Sequence, residues 1–376
     1  MVTRIIEEQI LQHIKPQKAA LIFGARRVGK TFLLHNILKK FTGKYQLLIG
    51  EDITTQALLE VNSIKRYQEL FGSLQLLAID EAQAIPNIGT IIKLLVDNVE
   101  GLSVIATGSS AFDLLNRTGE PLVGRAYSFH LFPFSQEELN TVENKIETIN
   151  NLETRLIFGS FPELYFMNTI AEKSNYLNSI VNSYMLKDIL AIDGIKNSSK
   201  MLNLLRLIAF QVGNEVSYDE LSKKLGLSRN TVEHYLNLLS QVFIVFRLGA
   251  YSNNIRKEIS KGSKWYFYDN GIRNILINNM MPLNMRDDEG KLWENYLISE
   301  KIKQNYYHHN RNEYYFWRTY DQKEIDLIEL NGNGEMSAFE FKWGNKIPRV
   351  PAAFSKAYPQ ATYEVINRDN YLGGFL

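Results

Sequence analysis

One short segment of the sequence combines glycines, a lysine and a threonine at the spacing that binds a phosphate chain. Residues 24–31 read GARRVGKT and fit the pattern G-x-x-x-x-G-K-[ST] in full. The segment follows an apolar run and opens a helical pattern, so backbone N–H groups and a helix N-terminus are expected to surround phosphate oxygens. Lys30 is expected to reach the β- and γ-phosphates, and the Thr31 hydroxyl to bind Mg²⁺. The predicted nucleotide-binding residues are Gly24, Ala25, Arg26, Arg27, Val28, Gly29, Lys30 and Thr31.

A second motif provides the carboxylates that hydrolysis of a nucleotide requires. Asp80 ends the apolar run LLAID, and Glu81 follows it. The pattern predicts that Asp80 holds the Mg²⁺ shell and that Glu81 polarises the attacking water. Residues 144–147 read NKIE and fail the guanine-reading pattern N-K-x-D at its last position, which favours ATP over GTP. The predicted cofactors are therefore ATP and Mg²⁺.

Two further positions are candidates for contacting the γ-phosphate. The apolar run at 102–107 leads into Ser109 and Ser110, one of which is expected to sense the γ-phosphate from between the two motif strands. Small polar residues after a strand are also ordinary turn formers, so that alternative stays open. Arg125, which follows Gly124, is a candidate arginine finger, a role that accelerates phosphoryl transfer about 10³- to 10⁵-fold. An ordinary surface ion pair is the alternative for this arginine.

These residues lie at the ends of short apolar runs that alternate with helical patterns. The runs are predicted as strands at 19–23, 45–50, 74–80 and 102–107, with a last strand within 127–134. The stretches 31–41 and 88–99 have helical spacing. Strands that are apolar on both faces and separated by helices are typical of a parallel sheet. The sequence therefore predicts an α/β core for the first part of the chain.

These motifs together resemble a known family. The segments GARRVGKT, LLAIDEAQ, IATGSSAF and GSFPE are similar to those of prokaryotic AAA-superfamily P-loop ATPases whose ATPase domain is fused to a C-terminal domain of unknown function. The segment KWYFYDNGIRN at 264–274 resembles the signature of that fused domain, so the resemblance spans nearly the whole chain. It implies a P-loop core with an additional strand and an ordered ATP site. It implies little about the biological task.

The middle of the chain has the pattern of a winged helix-turn-helix. Ser217 and Glu220 form a capping-box pattern, the helix they open stops at Gly226, and Ser228 can cap a second helix. Winged helices also serve as connectors between domains, and an acidic residue in the reading face would repel phosphate. The residues expected to contact double-stranded DNA are Arg229, Asn230, Glu233 and His234 on the second helix and Arg256, Lys257, Lys261 and Lys264 in the wing.

The last part of the chain brings carboxylates and a lysine onto neighbouring strands. Asp326 lies on one apolar strand, and Glu340 and Lys342 share one face of the next. Glu294, on the preceding helix, is a candidate fourth member. The set resembles the D…E-x-K constellation of restriction-endonuclease-like nucleases, in which Asp326 and Glu340 would hold a second Mg²⁺. The alternative is a fold of this kind in which the charged pair is only a structural salt bridge.

Composition limits the other classes of function. The chain has 376 residues, a net charge of +1, no cysteine and six histidines, so no global basic charge, thiolate zinc site or cysteine nucleophile is expected. Glu7 and Glu8 interrupt the N-terminal region where a signal peptide needs an apolar core, and we find no run of about 18 apolar residues. The expected location is therefore cytoplasmic, without a membrane partner.

The sequence thus predicts an α/β AAA-type P-loop sheet with a helical lid, an α+β winged helix and a nuclease-like α/β module. The expected boundaries are 1–135 for the ATPase core, 136–198 for the lid or connector, 199–285 for the winged helix and 286–376 for the nuclease-like module. The expected function is slow Mg²⁺-dependent ATP hydrolysis that controls the C-terminal modules. An ATP-gated DNA-binding or nuclease protein and a nucleotide switch with little turnover are the alternatives. A homo-oligomer is left open.

Overall fold

The structure is a computed structural model that describes residues 2–109, 122–185, 198–252 and 262–376. The candidate sensor Ser110 and the wing residues Arg256, Lys257 and Lys261 lie outside these ranges. The chain divides into two compact units. The first consists mainly of Met1–Phe132, and the second consists of Pro133–Val181, Asn197–Ser240 and Ile244–Leu376.

The first unit is built on a sheet of five parallel strands. The strands are β1 (Ala19–Phe23), β2 (Tyr45–Ile49), β3 (Leu76–Asp80), β4 (Ser103–Gly108) and β5 (Ala126–His130), in the order β2-β3-β4-β1-β5. All residues of the three central strands are buried, whereas both edge strands are partly exposed. This burial explains the continuous apolar runs, and the prediction of a parallel α/β sheet is confirmed.

The helices of the first unit connect these strands. They are α1 (Ile6–Gln12), α2 (Lys30–Lys40), α3 (Ile53–Leu59), α4 (Ile64–Phe71) and α5 (Ile88–Asn98), with a short 3₁₀ turn at Ala82–Ala84. The side chains of Asp52 and Ser63 accept hydrogen bonds from backbone N–H groups and so cap α3 and α4. The topology places the carboxyl ends of β1, β3 and β4 side by side, which is where the sequence motifs lie.

The second unit contains a mixed sheet of seven strands. The strands are β6 (Glu215–Val216), β7 (Val245–Ala250), β8 (Ser263–Phe267), β9 (Glu313–Arg318), β10 (Glu324–Leu330), β11 (Met336–Phe341) and β12 (Thr362–Ile366), in the order β12-β11-β10-β9-β7-β8-β6. Strands β7 and β9 pair in parallel through Gly249 and Tyr315. The boundary predicted at 285–286 therefore falls between two groups of strands that form a single sheet.

The helices of the second unit include those predicted for the lid and the winged helix. They are α6 (Gln136–Leu139), α7 (Lys145–Phe158), α8 (Ile170–Ser179), α9 (Ser198–Phe210), α10 (Tyr218–Leu225), α11 (Arg229–Gln241), α12 (Asn270–Leu276), α13 (Glu289–Tyr307) and α14 (Ala352–Ala357). Ser217 caps α10 by accepting from the Glu220 N–H, while the Glu220 carboxylate pairs with Lys224 at 2.6 Å. Within the described ranges, none of the helices is long and apolar enough to cross a membrane.

Two signature segments meet at one buried carboxylate in the second unit. Asp269 accepts hydrogen bonds from the Ser160 N–H at 2.7 Å and from the Gly271 N–H at 2.8 Å. A Cβ atom at Gly159 would lie 1.9 Å from an Asp269 oxygen, so only glycine fits there. Burial raises the pKa of Asp269 to about 6. The GSFPE and DNGIRN segments therefore contribute to the polar core of this unit.

Candidate functional site

The phosphate-binding segment forms a tight loop between β1 and α2. Arg27 and Gly29 adopt positive φ angles of 68° and 96°, which curl the backbone just before the first turn of α2. A Cβ atom at Gly24 would lie 2.2 Å from the Leu131 carbonyl oxygen, so the first glycine of the motif permits close packing against the segment after β5. A curled loop that ends at a helix N-terminus is a favourable environment for phosphate.

The lysine of the motif is held close to the loop. Lys30 is only 4% exposed, and its ammonium donates hydrogen bonds to the carbonyl oxygens of Gly24 at 3.0 Å and Ala25 at 3.1 Å. An ammonium group has three donors on a flexible stem, so it can exchange such carbonyl contacts for phosphate oxygens when a nucleotide is present. Lys30 therefore lies against the loop in which its motif predicts phosphate binding.

The two predicted Mg²⁺ ligands are in direct contact. The Thr31 hydroxyl donates to Asp80 Oδ2 at 2.8 Å, which joins the start of α2 to the end of β3. A hydroxyl and a carboxylate are the oxygen ligands that Mg²⁺ prefers, and this ion normally retains several waters and substrate oxygens. These residues fit the metal that the motif implies.

A residue that sequence reasoning missed links the two acidic positions. Thr107, near the end of β4, is fully buried and donates its hydroxyl to Asp80 Oδ1 at 2.5 Å. The same hydroxyl accepts from the Glu81 N–H at 3.0 Å. The predicted sensor Ser109 lies two residues further on and is 3% exposed. The sequence contained one signal for this residue: Thr107 is the last polar residue of the apolar run that forms β4, the strand between β1 and β3.

The candidate base Glu81 lies in a constrained turn directly after β3. Its φ angle is 50°, a left-handed conformation that is uncommon for a residue with a Cβ atom. Its carboxylate accepts from the Gln83 side-chain amide at 2.5 Å. The Gln56 amide in α3 donates to the carbonyl oxygens of Gly50 at 2.8 Å and Ala84 at 3.2 Å. The turn that carries Glu81 is therefore tied to the end of β2.

The structure places Arg125 at the amino ends of the parallel strands, whereas the phosphate loop lies at their carboxyl ends. Its carbonyl oxygen accepts from the Ala19 N–H at the first residue of β1, whereas the loop follows the last residue of that strand. Five residues of a strand span roughly 15 Å. Its guanidinium pairs with Asp97 at 2.6 Å. Arg125 therefore cannot contact a nucleotide in its own phosphate loop.

The predicted carboxylate cluster of the second unit is paired with lysines. Lys342 donates to Glu340 at 2.5 Å, and Asp326 accepts from the Phe341 N–H at 2.8 Å. Glu294 accepts from the Tyr266 hydroxyl at 2.5 Å. Across the described ranges, no three Asp, Glu or His side chains are placed to hold a metal ion. The geometry thus gives no support for the predicted second Mg²⁺ site at Asp326 and Glu340.

Lys264 contributes a further cation to this cluster. It is almost fully buried and contacts both Glu324 and Glu294. Burial lowers the pKa of Lys264, but the nearby carboxylates of Glu294, Glu324 and Asp326 outweigh it and raise the pKa above its usual value. Burial raises the pKa of Asp326 well above its ordinary range, and Glu294 and Glu340 add to the shift. Lys264 therefore forms part of a buried ionic network.

The predicted recognition helix presents its polar side chains to solvent. The residues predicted to face DNA are all exposed: Arg229, Asn230, Glu233 and His234. The opposite face of α11 buries Val232, Leu236 and Leu239. Arg229 pairs with Asp219 at 3.3 Å, and both side chains are 62% exposed, so the pair leaves the arginine accessible.

Comparison with protein families assigns the first part of the chain. Residues 16–140 match the family described as the AAA domain, which supports an AAA-type ATPase domain in this part of the chain. Residues 149–283 and 289–371 match two domains of unknown function, DUF8612 and DUF4143. The predicted resemblance is confirmed at this level: an AAA-type ATPase domain is followed by domains of unknown function.

Similar proteins come from archaea and bacteria. An uncharacterized protein of Methanocaldococcus jannaschii is 25% identical over 385 residues, covering 97% of this chain and 84% of its own. An uncharacterized protein of Mycobacterium tuberculosis is 24% identical over 319 residues, covering 83% of this chain and 68% of its own.

Two solved structures also align with large parts of the chain. One is the Thermotoga maritima RuvB Holliday junction branch migration motor, which is 15% identical with a TM-score of 0.31 and covers 65% of this chain and 90% of its own. The other is Cdc6p from Pyrobaculum aerophilum, which is 12% identical with a TM-score of 0.30 and covers 73% of this chain and 93% of its own.

Proposed function

We propose that this protein is an Mg²⁺-dependent ATP hydrolase. The observation that carries the proposal is the continuous set of contacts from the phosphate loop to the acidic motif. Thr31 contacts one oxygen of Asp80, Thr107 contacts the other, and Thr107 also holds the backbone of Glu81. These contacts join the predicted phosphate loop, the predicted metal ligands Thr31 and Asp80 and the candidate base Glu81 at the carboxyl ends of the central strands.

The proposed reaction assigns a role to each side chain. The loop and Lys30 hold the phosphates, and Thr31 and Asp80 would hold Mg²⁺, which supplies charge neutralisation at the β- and γ-phosphates. The oxygen of a water attacks the γ-phosphorus while Glu81 takes the proton from that water. The bond from the γ-phosphorus to the bridging oxygen breaks, and ADP and phosphate leave.

A matched pair of variants tests the assignment of Glu81. Glu81→Gln is expected to retain ATP binding within about threefold and to lose turnover by about 10²- to 10⁴-fold, the range for a lost general base. Glu60→Gln, at an exposed position at the end of α3, is the control and should leave turnover unchanged. Equal turnover in Glu81→Gln and wild type would contradict the assignment.

The proposal includes control of the C-terminal modules by the nucleotide state, with slow turnover. Its support is the chain order, in which the AAA domain precedes two domains of unknown function. A switch with little turnover is the competing version. Stimulation of ATP turnover by duplex DNA separates the switch from an ATP-gated nuclease, because the switch predicts no stimulation and the nuclease predicts both stimulation and cleavage.

Binding of double-stranded DNA is a second candidate function, favoured by the order of elements in the middle of the chain. Helix α9, strand β6, helices α10 and α11 and strands β7 and β8 follow one another in the order of a winged helix, with the polar face of α11 exposed. Arg229→Ala should weaken binding and flatten its salt dependence, whereas Lys356→Ala, at an exposed position in α14, should not. Unchanged binding in Arg229→Ala would remove this candidate.

Nuclease activity stays a proposal for the last module. Its support is the position of Asp326 and Glu340 on the paired strands β10 and β11, while the ion pair between Lys342 and Glu340 favours the structural alternative. An Mg²⁺-dependent cleavage assay should show activity that Asp326→Ala abolishes and the exposed control Asp369→Ala retains. Cleavage that is absent in wild type or equal in all three proteins would exclude the activity.

A further inference from the structure

A polar cavity lies beside the ion pairs of the second unit. Its volume is about 510 Å³, within the range of roughly 300–1,000 Å³ for small-ligand sites. The cavity is lined by three carboxylates and three cations, with no large apolar side chain. These charged residues are Glu215, Lys264, Lys291, Glu294, Arg318 and Glu324. The lining therefore suits a small polar molecule and disfavours a hydrophobic one.

Most of the charges in this cavity are already paired. Lys264 contacts Glu324 and lies 3.5 Å from Glu294. Arg318 pairs with Glu215 at 3.2 Å and with Glu324 at 3.7 Å. Because the cations and carboxylates of the lining are equal in number, the cavity as a whole favours neither a simple anion nor a simple cation.

Two lining groups keep unused capacity for hydrogen bonds. Within the described ranges, no group pairs with the ammonium of Lys291, which is partly exposed. Glu294 uses Oε1 for both Tyr266 and Lys264, whereas its Oε2 has no partner among the same residues and is not buried. A Cβ atom at Gly213 would lie 3.1 Å from this Oε2, so the glycine leaves space beside it.

These two groups lie at neighbouring positions of one helix without pairing with each other. Lys291 and Glu294 are three residues apart in α13, a spacing that places Cβ atoms about 5–6 Å from each other. The Tyr266 hydroxyl holds Glu294 by a hydrogen bond of 2.5 Å. An unpaired ammonium and an available carboxylate oxygen therefore line the same cavity, one turn of helix apart.

We propose that this cavity binds a polar α-amino acid. Such a molecule carries an ammonium and a carboxylate on one carbon atom and so complements the pair that the cavity offers. Glu294 Oε2 accepts from the ammonium of the ligand, and Lys291 donates to its carboxylate. The polar side chain of the ligand faces Glu215 and Arg318, which also line the cavity. This inference does not depend on the proposed ATPase function.

The site would be shared by two parts of the chain whose function is unknown. Glu215 and Lys264 belong to the match at 149–283, and Lys291, Glu294 and Arg318 belong to the match at 289–371. Both parts contribute strands to one sheet. A ligand in this cavity therefore contacts both matched regions at once.

Thermal melting and isothermal titration of the full chain test the proposal with each of the polar L-amino acids. The titrations contain EDTA, so the result is independent of the Mg²⁺ sites predicted elsewhere. At least one amino acid should raise the melting temperature and bind with a Kd of about 1 mM or lower. If none binds at concentrations up to about 10 mM, the proposal is wrong.

Derivatives of the amino acid that binds most tightly test the two ends separately. The N-acetyl derivative lacks the ammonium, and the amide derivative lacks the carboxylate. Each should bind at least about tenfold more weakly, because one charged hydrogen bond is lost. A derivative that binds as tightly as the amino acid itself would overturn the assigned orientation.

Two variants locate the binding in this cavity. Lys291→Met should weaken binding about tenfold and should lose the preference for the amino acid over its amide. Glu294→Gln should lose the preference over the N-acetyl derivative. Lys356→Met, at an exposed position in α14, is the control and should match wild type. Melting curves without ligand show whether each variant folds, and Lys291→Met removes no contact among the described residues.

The outcomes distinguish this inference from the proposed hydrolase. A protein that binds the amino acid but does not turn over ATP would contradict only the hydrolase. An amino acid that binds Lys291→Met as tightly as wild type occupies another site, which would overturn the assignment to this cavity.

Discussion

At the scale of single residues, Thr107 connects the acidic motif to the strand that separates it from the phosphate loop. Its hydroxyl binds the Asp80 carboxylate and accepts from the Glu81 N–H, and it does so while fully buried. Hydrogen bonds to charged groups contribute about 1.5–3 kcal/mol to stability. Loss of this one hydroxyl should therefore disturb the positions of both acidic residues.

Replacing Thr107 by valine keeps the shape of the side chain and removes the hydroxyl. We expect kcat for ATP hydrolysis to fall about 10- to 100-fold, because Asp80 and Glu81 lose their shared partner. The matched control is Thr54→Val, at an exposed position in α3. Steady-state kinetics check the result, and equal kcat values for the two variants would show that the hydroxyl has no catalytic importance.

The buried Asp269 predicts a pH dependence of stability. Its pKa is about 6 in the folded protein and 3.8 as an ordinary side chain, so the folded state binds the proton more tightly. The contribution of this group to stability is fully present below pH 3.8 and is lost as the pH rises through 6. The shift corresponds to a change on the order of 3 kcal/mol.

Urea unfolding of wild type and Asp269→Asn at pH 4 and pH 7 measures this dependence. An asparagine cannot ionise, so the free energy of unfolding of wild type should fall relative to that of the variant as the pH rises. Glu300 and Lys303, which pair at 2.7 Å nearby, are present in both proteins and provide the common background. A constant difference between the two proteins at both pH values would contradict the assignment of the shift to Asp269.

The sequence predicted the site residues that belong to one local motif. Each motif carries its own strand end or helix start, so the sequence places Lys30 and Thr31 at the start of α2 and Asp80 at the end of β3, as the structure does. Thr107 was not predicted as a site residue. The role of Thr107 depends on β4 lying between β1 and β3, which no short pattern encodes.

At the scale of elements, the segment before α1 stabilises the phosphate loop. The buried guanidinium of Arg4 donates to the carbonyl oxygen of Val28 at 3.0 Å and to that of Phe132 at 2.6 Å. It therefore joins the loop to the segment that follows β5. A planar group with several fixed donors suits such a double contact better than an ammonium group does.

Arg4→Met should weaken ATP binding about tenfold, because the Val28 carbonyl loses its partner and the loop becomes less ordered before the nucleotide binds. The melting temperature should fall by several degrees, since a buried hydrogen-bonded group is removed. Calorimetric titration with ATP measures the affinity. Arg66→Met, at an exposed position in α4, is the control, and a similar Kd in both variants would exclude a role for Arg4 in the loop.

The sequence predicted single elements better than their assembly. The central strands of the first sheet were predicted because burial on both faces requires continuous apolar runs. The seven-stranded sheet was not predicted, since β9 pairs with β7 and not with β8, the strand that precedes it in the sequence. Such pairing depends on the packing of distant segments, and a local pattern carries no information about it.

At the scale of the whole molecule, Arg125 can act as the predicted arginine finger only if the protein forms an oligomer. Its own phosphate loop lies at the opposite ends of the strands. Arg125 can therefore contact a nucleotide only in the loop of a second copy. The Asp97 ion pair must then open, and at this half-exposed position such a pair contributes little energy.

If Arg125 acts in a second copy, ATP turnover per protein should rise with protein concentration. Arg125→Ala should have lower turnover that does not depend on concentration. A mixture of Arg125→Ala and Lys30→Ala should recover part of the activity, because each chain supplies what the other lacks. A flat specific activity in wild type, or a mixture no more active than its parts, would exclude the arginine finger.

The central claim is that the loop at 24–31 binds the triphosphate of Mg²⁺-ATP, and one titration tests it directly. Isothermal titration of wild type with ATP in the presence of Mg²⁺ should show one binding site per chain. Lys30→Ala should bind at least about tenfold more weakly, because it lacks the ammonium that reaches the outer phosphates. Wild type that takes up no ATP, or a Lys30→Ala variant with unchanged affinity, would contradict the account.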